Sequence, residues 1–335
     1  MIISIIGAGA IGSVVAAYLT KKGQQALLVC HPEQLDAIKE KGLNVNGVRG
    51  SFHINVEAVP ILDREVDLII FAVKTQDIVK AAIENQRYLK GKPVLTTQNG
   101  VQADTLLSKI VDKNNIISSI VMFGATYLEI GNVVHNFEGS WILGRAFGPN
   151  DELVHKIGGI LNEIFPVVKT EEIMPMKYLK IFVNANNCIP AILGLGMQES
   201  FVDLEISRIG ISIWKEGLNI VNKSNIKLTS LPDFPLERLI KLTAMPSMEA
   251  AKIFSGIMVN LSKEPLFGSI LQSIKRGRNS EIDYINGEFV NIAKKNSLSA
   301  LLNERLVNMV HEVERTKSFF SKDKLMTATK DLIST

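Results

Sequence analysis

Three groups of residues in this chain have types and spacings that could do chemistry. The first is Gly7-Ala8-Gly9-Ala10-Ile11-Gly12, a G-x-G-x-x-G pattern. It follows a short run containing Ile2, Ile3, Ile5 and Ile6, and it precedes apolar residues at helical spacing from Ser13 to Lys21. Strand, glycine turn and helix form the context in which this pattern holds a dinucleotide. Gly7 makes the tight turn, Gly9 lets a pyrophosphate reach the backbone, and Gly12 lets helix and strand pack closely. Free N–H groups and the positive dipole end of the helix face the phosphates. The alternative is a tight strand-to-helix turn that binds nothing. The position of the pattern, directly after an isoleucine strand, favours the cofactor.

The second group is Lys180-Ile-Phe-Val-Asn184-Ala-Asn-Asn187-Cys188. Lys180 and Asn184 share a helix face at i, i+4, and Asn187 and Cys188 are expected to continue that face one turn on. A lysine with an asparagine beside it resembles an acid held against a carbonyl. Lys177 competes for the role, and a lysine among apolar residues can also snorkel its head to water.

The third group runs from Ser269 through Gly277-Arg278 and Glu281-Ile-Asp283 to Asn286-Gly287. A continuous helix would separate Ser269 from Glu281 by ~18 Å. For both to meet one small ligand the helix must break, and Gly277 is where it could. The alternative is a surface helix with solvated charges, which explains the charges but less easily the Gly-Arg-x-x-Glu-Ile-Asp order.

The elements that must position these groups alternate in the first half. After the glycine helix come a strand over 25–30, a short helix over 34–41, and a β-ribbon over 42–56 with turn glycines Gly47 and Gly50. A buried strand over 66–73 ends at Lys74, a helix spans 77–85, and a strand over 93–97 ends at Gln98-Asn99-Gly100. Parallel α/β sheets gather chemistry at the carboxyl ends of their strands. By position alone Lys74 and Asn99 are either site residues or solvated loop residues. A strand over 116–123, a hairpin over 127–143, a helix over 151–165 and a strand over 167–170 follow. From about Met174 the pattern is helical, with loops near Thr229–Pro235 and Lys263–Pro265. The expected division is 1–170 and 171–335.

In a dinucleotide fold the tip of the second strand reads the adenosine ribose: an acid favours NAD, a basic residue the 2′-phosphate of NADP. Here Cys30-His31-Pro32 stands, with Glu33 beyond. The missing acid leans toward NADP, and there is no arginine to strengthen the lean. His31 could donate to a phosphate, or it could simply begin the next helix through Pro32.

A chain of 335 residues suggests two domains. Hydrophobic residues at 46% and charged residues at 21% suit a packed globular protein. The net charge of +3 comes from dispersed basic residues, so no nucleic-acid partner is expected. With Cys30 and Cys188 the only cysteines and no histidine pair at ligand spacing, neither a disulfide framework nor a metal site is expected. No apolar run of ~18 residues predicts a membrane span. The apolar N-terminus lacks the basic region of a signal peptide. The expected location is the cytoplasm.

Taken together, these stretches resemble the ketopantoate reductase (2-dehydropantoate 2-reductase) family. The resemblance runs from residue 1 to about residue 315. Its carriers are Gly7–Gly12, Ala72-Val-Lys74-Thr, Gln98-Asn99-Gly100, Lys180-x-x-x-Asn184, and Ser269 through Glu281-Ile-Asp283-x-x-Asn286-Gly287. It implies an α/β fold, with an N-terminal Rossmann-like dinucleotide-binding domain, an all-α C-terminal domain and the active site between them. It also implies reduction of ketopantoate to pantoate with NADPH, in pantothenate synthesis.

Residue by residue, Lys180 matches the catalytic general acid. Glu281 matches the carboxylate that holds the substrate hydroxyl, and Ser269 the serine that meets the substrate carboxylate. Asn99 and Asn184 match active-site asparagines, and Lys74 a lysine near the cofactor. Gly7 to Gly12, His31, Lys74 and Asn99 would meet the cofactor; Asn99, Asn184, Ser269 and Glu281 would meet a small 2-keto acid. A homodimer is the assembly this reading allows.

The chain also departs from the family's pattern. Cys188 stands where a second asparagine is common, and Ser273 where an aspartate often follows the serine. Lys177-Tyr178-Leu179 replaces a tryptophan before the lysine, and His31 replaces the usual arginine. Two alternatives follow: a reductase of another small 2-keto acid or imine on the same scaffold, and a catalytically silent dinucleotide-binding regulator. The presence of Lys180, Asn184 and Glu281 disfavours the regulator.

Overall fold

The isoleucine run becomes β1 (Ile2–Ile6), buried from Ile3 onward, and the glycine turn delivers the chain into α1 (Ala10–Lys21). The computed structural model describes residues 1–262 and 265–333. β2 (Gln25–Val29), α2 (Pro32–Lys41), β3 (Leu43–Gly47), β4 (Phe52–Ile54), β5 (Glu57–Val59) and β6 (Leu68–Phe71) follow. Next come α3 (Ile78–Glu84), β7 (Val94–Thr96), α4 (Ala103–Leu107) and β8 (Ile116–Val121). β9 (Gly124–Glu129), β10 (Asn132–Phe137), β11 (Trp141–Arg145), α5 (Glu152–Leu161) and β12 (Val167–Lys169) complete the mixed region. The chain divides into two compact units, Met1–Met174 and Pro175–Thr335.

In the first unit the main sheet has the order β12-β11-β8-β7-β6-β1-β2-β5. β1 runs parallel to β2 and to β6, with Ile5 opposite Leu28 on one side and Ile70 on the other. The winding therefore reverses at β1. In an open α/β sheet that switch point is where ligands bind, beyond the carboxyl ends of the strands. Four of the five residues of β1 are isoleucines because both of its faces are covered, and Ser4 among them is buried as well. Ile3 and Ile5 pack with Val14, Val15 and Leu19 of α1. Ile6 points the other way, into a core with Ile78, Ala82 and Leu107 of α3 and α4.

The expected ribbon over 42–56 is the antiparallel pair β3–β4. It belongs to a second sheet of order β4-β3-β10-β9. The stretch over 127–143, expected as one hairpin, is divided between the two sheets. β9 and β10 form the hairpin, whereas β11 leaves to pair antiparallel with β8 in the main sheet. Gly139 makes the change of sheet: a Cβ there would lie 2.4 Å from the carbonyl carbon of Met122, so only glycine lets the backbones pass. β5, three residues long, is too short to carry a periodic signal.

The second unit is helical: α6 (Ile173–Ala185, which begins just before it), α7 (Cys188–Leu193), α8 (Met197–Phe201), α9 (Leu204–Lys223) and α10 (Leu236–Ala244). α11 (Ser247–Val259), α12 (Ser269–Lys275), α13 (Asn286–Lys295), α14 (Leu301–Thr316) and α15 (Lys322–Thr329) follow. α9 is the longest, capped by Asp203, with Ile206, Ile209, Ile213 and Ile220 on its buried side. Thr229–Pro235 is a loop as expected. Of the loop expected near Lys263–Pro265, Lys263 and Glu264 lie outside the described residues. Among the described residues no helix is long and apolar enough to cross a membrane.

Candidate functional site

In the first unit the parallel strands β1, β2, β6 and β7 bring their carboxyl ends to one edge of the sheet. The glycine loop, His31, Lys74 and Asn99 follow those four ends. Gly7 has φ +116°, and a Cβ on it would lie 2.7 Å from the Val73 nitrogen. A Cβ on Gly12 would lie 1.9 Å from the Gly7 oxygen. These two glycines are required by the protein's own backbone. Gly9 is different: it caps α1 with φ −85°, and a Cβ there would meet nothing within 4 Å. The open space lies beside the unpaired amides of the first helical turn, which contains no acidic residue. This is the room a pyrophosphate needs, and a dinucleotide fits these residues. α1 starts at Ala10 rather than near Ser13, so Ala10, Ile11 and Gly12 are already helical.

Uncharged side chains pin the loops of this edge. Gln98 Nε2 donates to the carbonyls of Phe71 and Val73, both at 2.8 Å. Thr75 Oγ1 donates to the carbonyl of Asn99 at 3.2 Å. The segments carrying Lys74 and Asn99 are therefore stitched together. Below them, buried Asp104 accepts from Thr96 Oγ1 at 2.6 Å and Ser118 Oγ at 2.7 Å. Gln34 of α2 donates to the Ala8 carbonyl and to Tyr127 Oη, each at 3.0 Å. Sequence reasoning gave Gln34 no role, and Thr75 and Gln98 none beyond the motifs they sit in. A polar residue at an inward helical position, as Gln34 is, was the one available signal. Lys74 and Asn99 are both half-buried. His31 opens α2 ahead of Pro32, makes no side-chain cap, and is exposed.

In the second unit Lys180 and Asn184 lie one turn apart on α6, both half-buried. Burial pushes the Lys180 ammonium down to about 8, and the negative charge of Asp233 acts in the opposite direction. Asp233, in the loop before α10, gave no signal across so long a separation in sequence. Lys177 is 2% exposed and belongs to the interior.

Asn187 and Cys188 do not continue the Lys180 face. α6 stops at Ala185, the Asn187 amide turns back to the Asn184 carbonyl at 2.9 Å, and Cys188 begins α7. Pro190 is the reason: it has no N–H for the residue 186 carbonyl, and its ring would crowd a continuing helix. Just before the break, the Phe182 carbonyl accepts from Trp214 Nε1 at 2.7 Å. Asn187 instead packs on Gly268, where a Cβ would lie 3.0 Å from its Oδ1. Gly268 caps α12, whose first residue is the exposed Ser269. Cys188 is buried, which pushes its thiol up to about 12.

The helix after Ser269 breaks where it had to. α12 ends at Lys275, and Gly277 has φ +70°. The Gly277 amide donates to Ile274 at 2.9 Å and the Arg278 amide to Ser273 at 3.0 Å, a glycine stop of the Schellman type. Ser273, in the place of an aspartate, donates to the Ser269 carbonyl of its own helix at 2.8 Å. Glu281 follows the break, half-buried, at the start of a single 3₁₀ turn. Asn286 is fully buried and structural: its Nδ2 donates to Asn303, whose own amide donates to Glu216. Among the described residues no three His, Cys, Asp or Glu side chains gather to hold a metal ion.

Residues 3–147 match the family described as ketopantoate reductase PanE/ApbA, and residues 172–314 match its C-terminal part. The chain is 29% identical over 317 residues to the 2-dehydropantoate 2-reductase of Pyrococcus horikoshii, covering 94% of this chain and 98% of that protein. It is 27% identical over 313 residues to that of Pyrococcus abyssi, covering 92% and 97%. Among solved structures, a D-mandelate dehydrogenase with NADH and anilino(oxo)acetate superposes with a TM-score of 0.82. The identity is 25%, over 94% of this chain and 99% of that one. A ketopantoate reductase from Ralstonia eutropha JMP134 shares the fold with a TM-score of 0.78 at 21% identity, over 95% and 99%.

Proposed function

Since the chain belongs to the ketopantoate reductase family, we propose that it reduces 2-dehydropantoate to pantoate with NADPH as hydride donor, within pantothenate synthesis. The observation that carries the reading is the Lys180 ammonium, lowered to about 8 one helical turn from Asn184. A proton donor works best when its pKa lies near the working pH.

Bound NADPH supplies the hydride that reduces the 2-oxo carbon; the chain supplies the rest. The glycine loop and the first amides of α1 hold the pyrophosphate, with His31, Lys74 and Asn99 at the same sheet edge. Lys180 stabilises the negative charge that develops on the substrate oxygen and then gives it a proton. Asn184 donates its amide beside Lys180. Ser269 donates to the substrate carboxylate, and Glu281 accepts from the C4 hydroxyl of ketopantoate.

A second reading, reduction of a different 2-keto acid, is favoured by the similarity to D-mandelate dehydrogenase. Mandelate is a 2-hydroxy acid without a C4 hydroxyl. Cys188 and Ser273 point the same way, since each replaces a polar residue of the family and each is occupied inside the fold. A cytoplasmic enzyme acting as a homodimer belongs to the first reading. The test is turnover of a panel of 2-keto acids with NADPH and NADH, followed at the nicotinamide absorbance, with sedimentation for the assembly. Ketopantoate as the preferred substrate supports the first reading and another acid the second. No turnover of any acid would refute both.

A further inference from the structure

The segment that carries Glu281 is held on both sides by one turn of α14. Just before Glu281, the Ser280 amide donates to Glu314 Oε1 at 2.6 Å. Two residues after it, Asp283 Oδ1 lies 2.9 Å from His311 Nε2. The circuit closes between His311 Nδ1 and Glu314 Oε2 at 3.1 Å. Each ring nitrogen thus faces a carboxylate oxygen. A neutral imidazole has one N–H and would turn a lone pair toward one of them; only the imidazolium donates to both.

The electrostatics agree with that geometry. Hydrogen bonds to Asp283 and then to Glu314 raise His311 to about 10, against the opposing effect of burial. Burial would raise the Glu314 carboxyl, but the bonds from His311 and Ser280 outweigh it and hold it low. The segment runs from the glycine stop at Gly277 to the start of α13 with a single 3₁₀ turn, Ile282–Tyr284, in between.

We infer that His311 is a positioning residue for Glu281, a cationic clasp that fixes the Ser280–Asp283 segment to α14 and so sets where the Glu281 carboxylate meets the substrate. This rests on the reading that Glu281 contacts the keto acid. His311 is remote in sequence from every motif, and its role would be to order a carboxylate that recognises a hydroxyl, without touching the ligand itself.

The experiment compares wild type with His311→Ala and His311→Arg, the second keeping a planar cation that can bond two carboxylates. In His311→Ala the Ser280 and Ile282 amides are expected to exchange with deuterium about tenfold faster, the scale of losing a charge-assisted hydrogen bond. KM for ketopantoate is expected to rise about tenfold, with kcat and the NADPH dissociation constant nearly unchanged. His311→Arg should restore most of both. A merely structural histidine would lower the melting temperature and leave the KM-to-kcat split alone. Unchanged exchange in His311→Ala would overturn the clasp, and faster exchange with an unmoved KM would overturn the positioning role. Wild type that ignores ketopantoate, or Glu281→Gln as active as wild type, would remove the substrate reading instead. The Ser280 exchange rate keeps the two failures apart.

Discussion

The two halves of the proposed machinery are built from different materials. In the first unit the phosphate site is backbone: glycines at positions 7, 9 and 12, amides of the first turn of α1, and carbonyls pinned by uncharged Gln34, Thr75 and Gln98. In the second unit the proposed groups are side chains that carry charge or hydroxyls: Lys180, Glu281 and Ser269, with His311 and Glu314 bonded to the segment that carries Glu281. A backbone site discriminates by shape, because only a missing Cβ leaves room for a phosphate. A side-chain site discriminates by proton and charge. Damage to the first should appear in stability or cofactor binding, and damage to the second in rate and substrate choice.

The largest expected effect tests the charged half. Lys180→Ala should lower kcat by ~10² to 10⁴ and leave NADPH binding unchanged in a fluorescence titration. Lys177→Ala, in the interior, should lower the melting temperature and spare the rate; the reverse ranking would exchange the two lysines' roles. The wild-type pH profile sharpens the same point. Lys180 is lowered from 10.5 to about 8, so its acid form is lost as pH rises through about 8, and kcat/KM for reduction should fall there. The sign for stability is opposite. Between about 8 and 10.5 the unfolded chain binds this proton and the folded chain does not, so this group's contribution to stability rises with pH across that window.

Next in size is a comparison inside the glycine motif. Gly12→Ala forces a Cβ to within 1.9 Å of the Gly7 oxygen and should cost more than ~3 kcal/mol in chemical denaturation. Gly9→Ala meets no protein atom within 4 Å and should change stability by less than ~1 kcal/mol, while weakening NADPH binding about tenfold, since the methyl occupies phosphate space. Equal effects would mean that the open space over Gly9 is not the cofactor's.

Glu281→Gln should reduce turnover of ketopantoate much more than turnover of a 2-keto acid without a C4 hydroxyl. A buried polar group left unpaired is how a site rejects the analogue that lacks its partner. An equal loss on both substrates would place Glu281 against Lys180 or the fold. The smallest effect belongs to His31→Arg. This exposed position should gain only a few-fold preference for NADPH over NADH, fading at high salt, read from kcat/KM for the two cofactors. No change would move the 2′-phosphate contact elsewhere.

How much of this could be read in the chain follows the same divide. β1, the glycine turn and α1 were legible because a cluster of isoleucines and obligatory glycines are local signals, and the switch point at β1 follows once the alternation of strands and helices is seen. The stop at Gly277 was legible for the same reason. The end of α6 was not, although Pro190 announces it, because the polar face of Lys180 and Asn184 seemed to run on through Cys188. The split of 127–143 between two sheets depends on strands far away in sequence, which no local pattern reports. In the second unit the roles of Lys180, Ser269 and Glu281 came from resemblance. His311 and Asp233 carried no signal, because what matters about them is the charge they meet across the fold.

The second sheet has a consequence in time. β3 and β10 pair in parallel, with Asn44 opposite Asn132, 88 positions apart. Closing so large a loop costs chain entropy that local contacts do not repay, and such pairings form late. Of the strands between them in sequence, β5 to β8 belong to the main sheet, which can assemble first. Tyr127 sits on β9 of the late sheet and bonds Gln34, which holds the Ala8 carbonyl of the glycine loop. The phosphate loop would thus gain its last anchor at the end of folding. Pulse-labelled amides of β3 and β10 should become protected after those of β1 and β6, and competence to bind NADPH should appear with the slower phase.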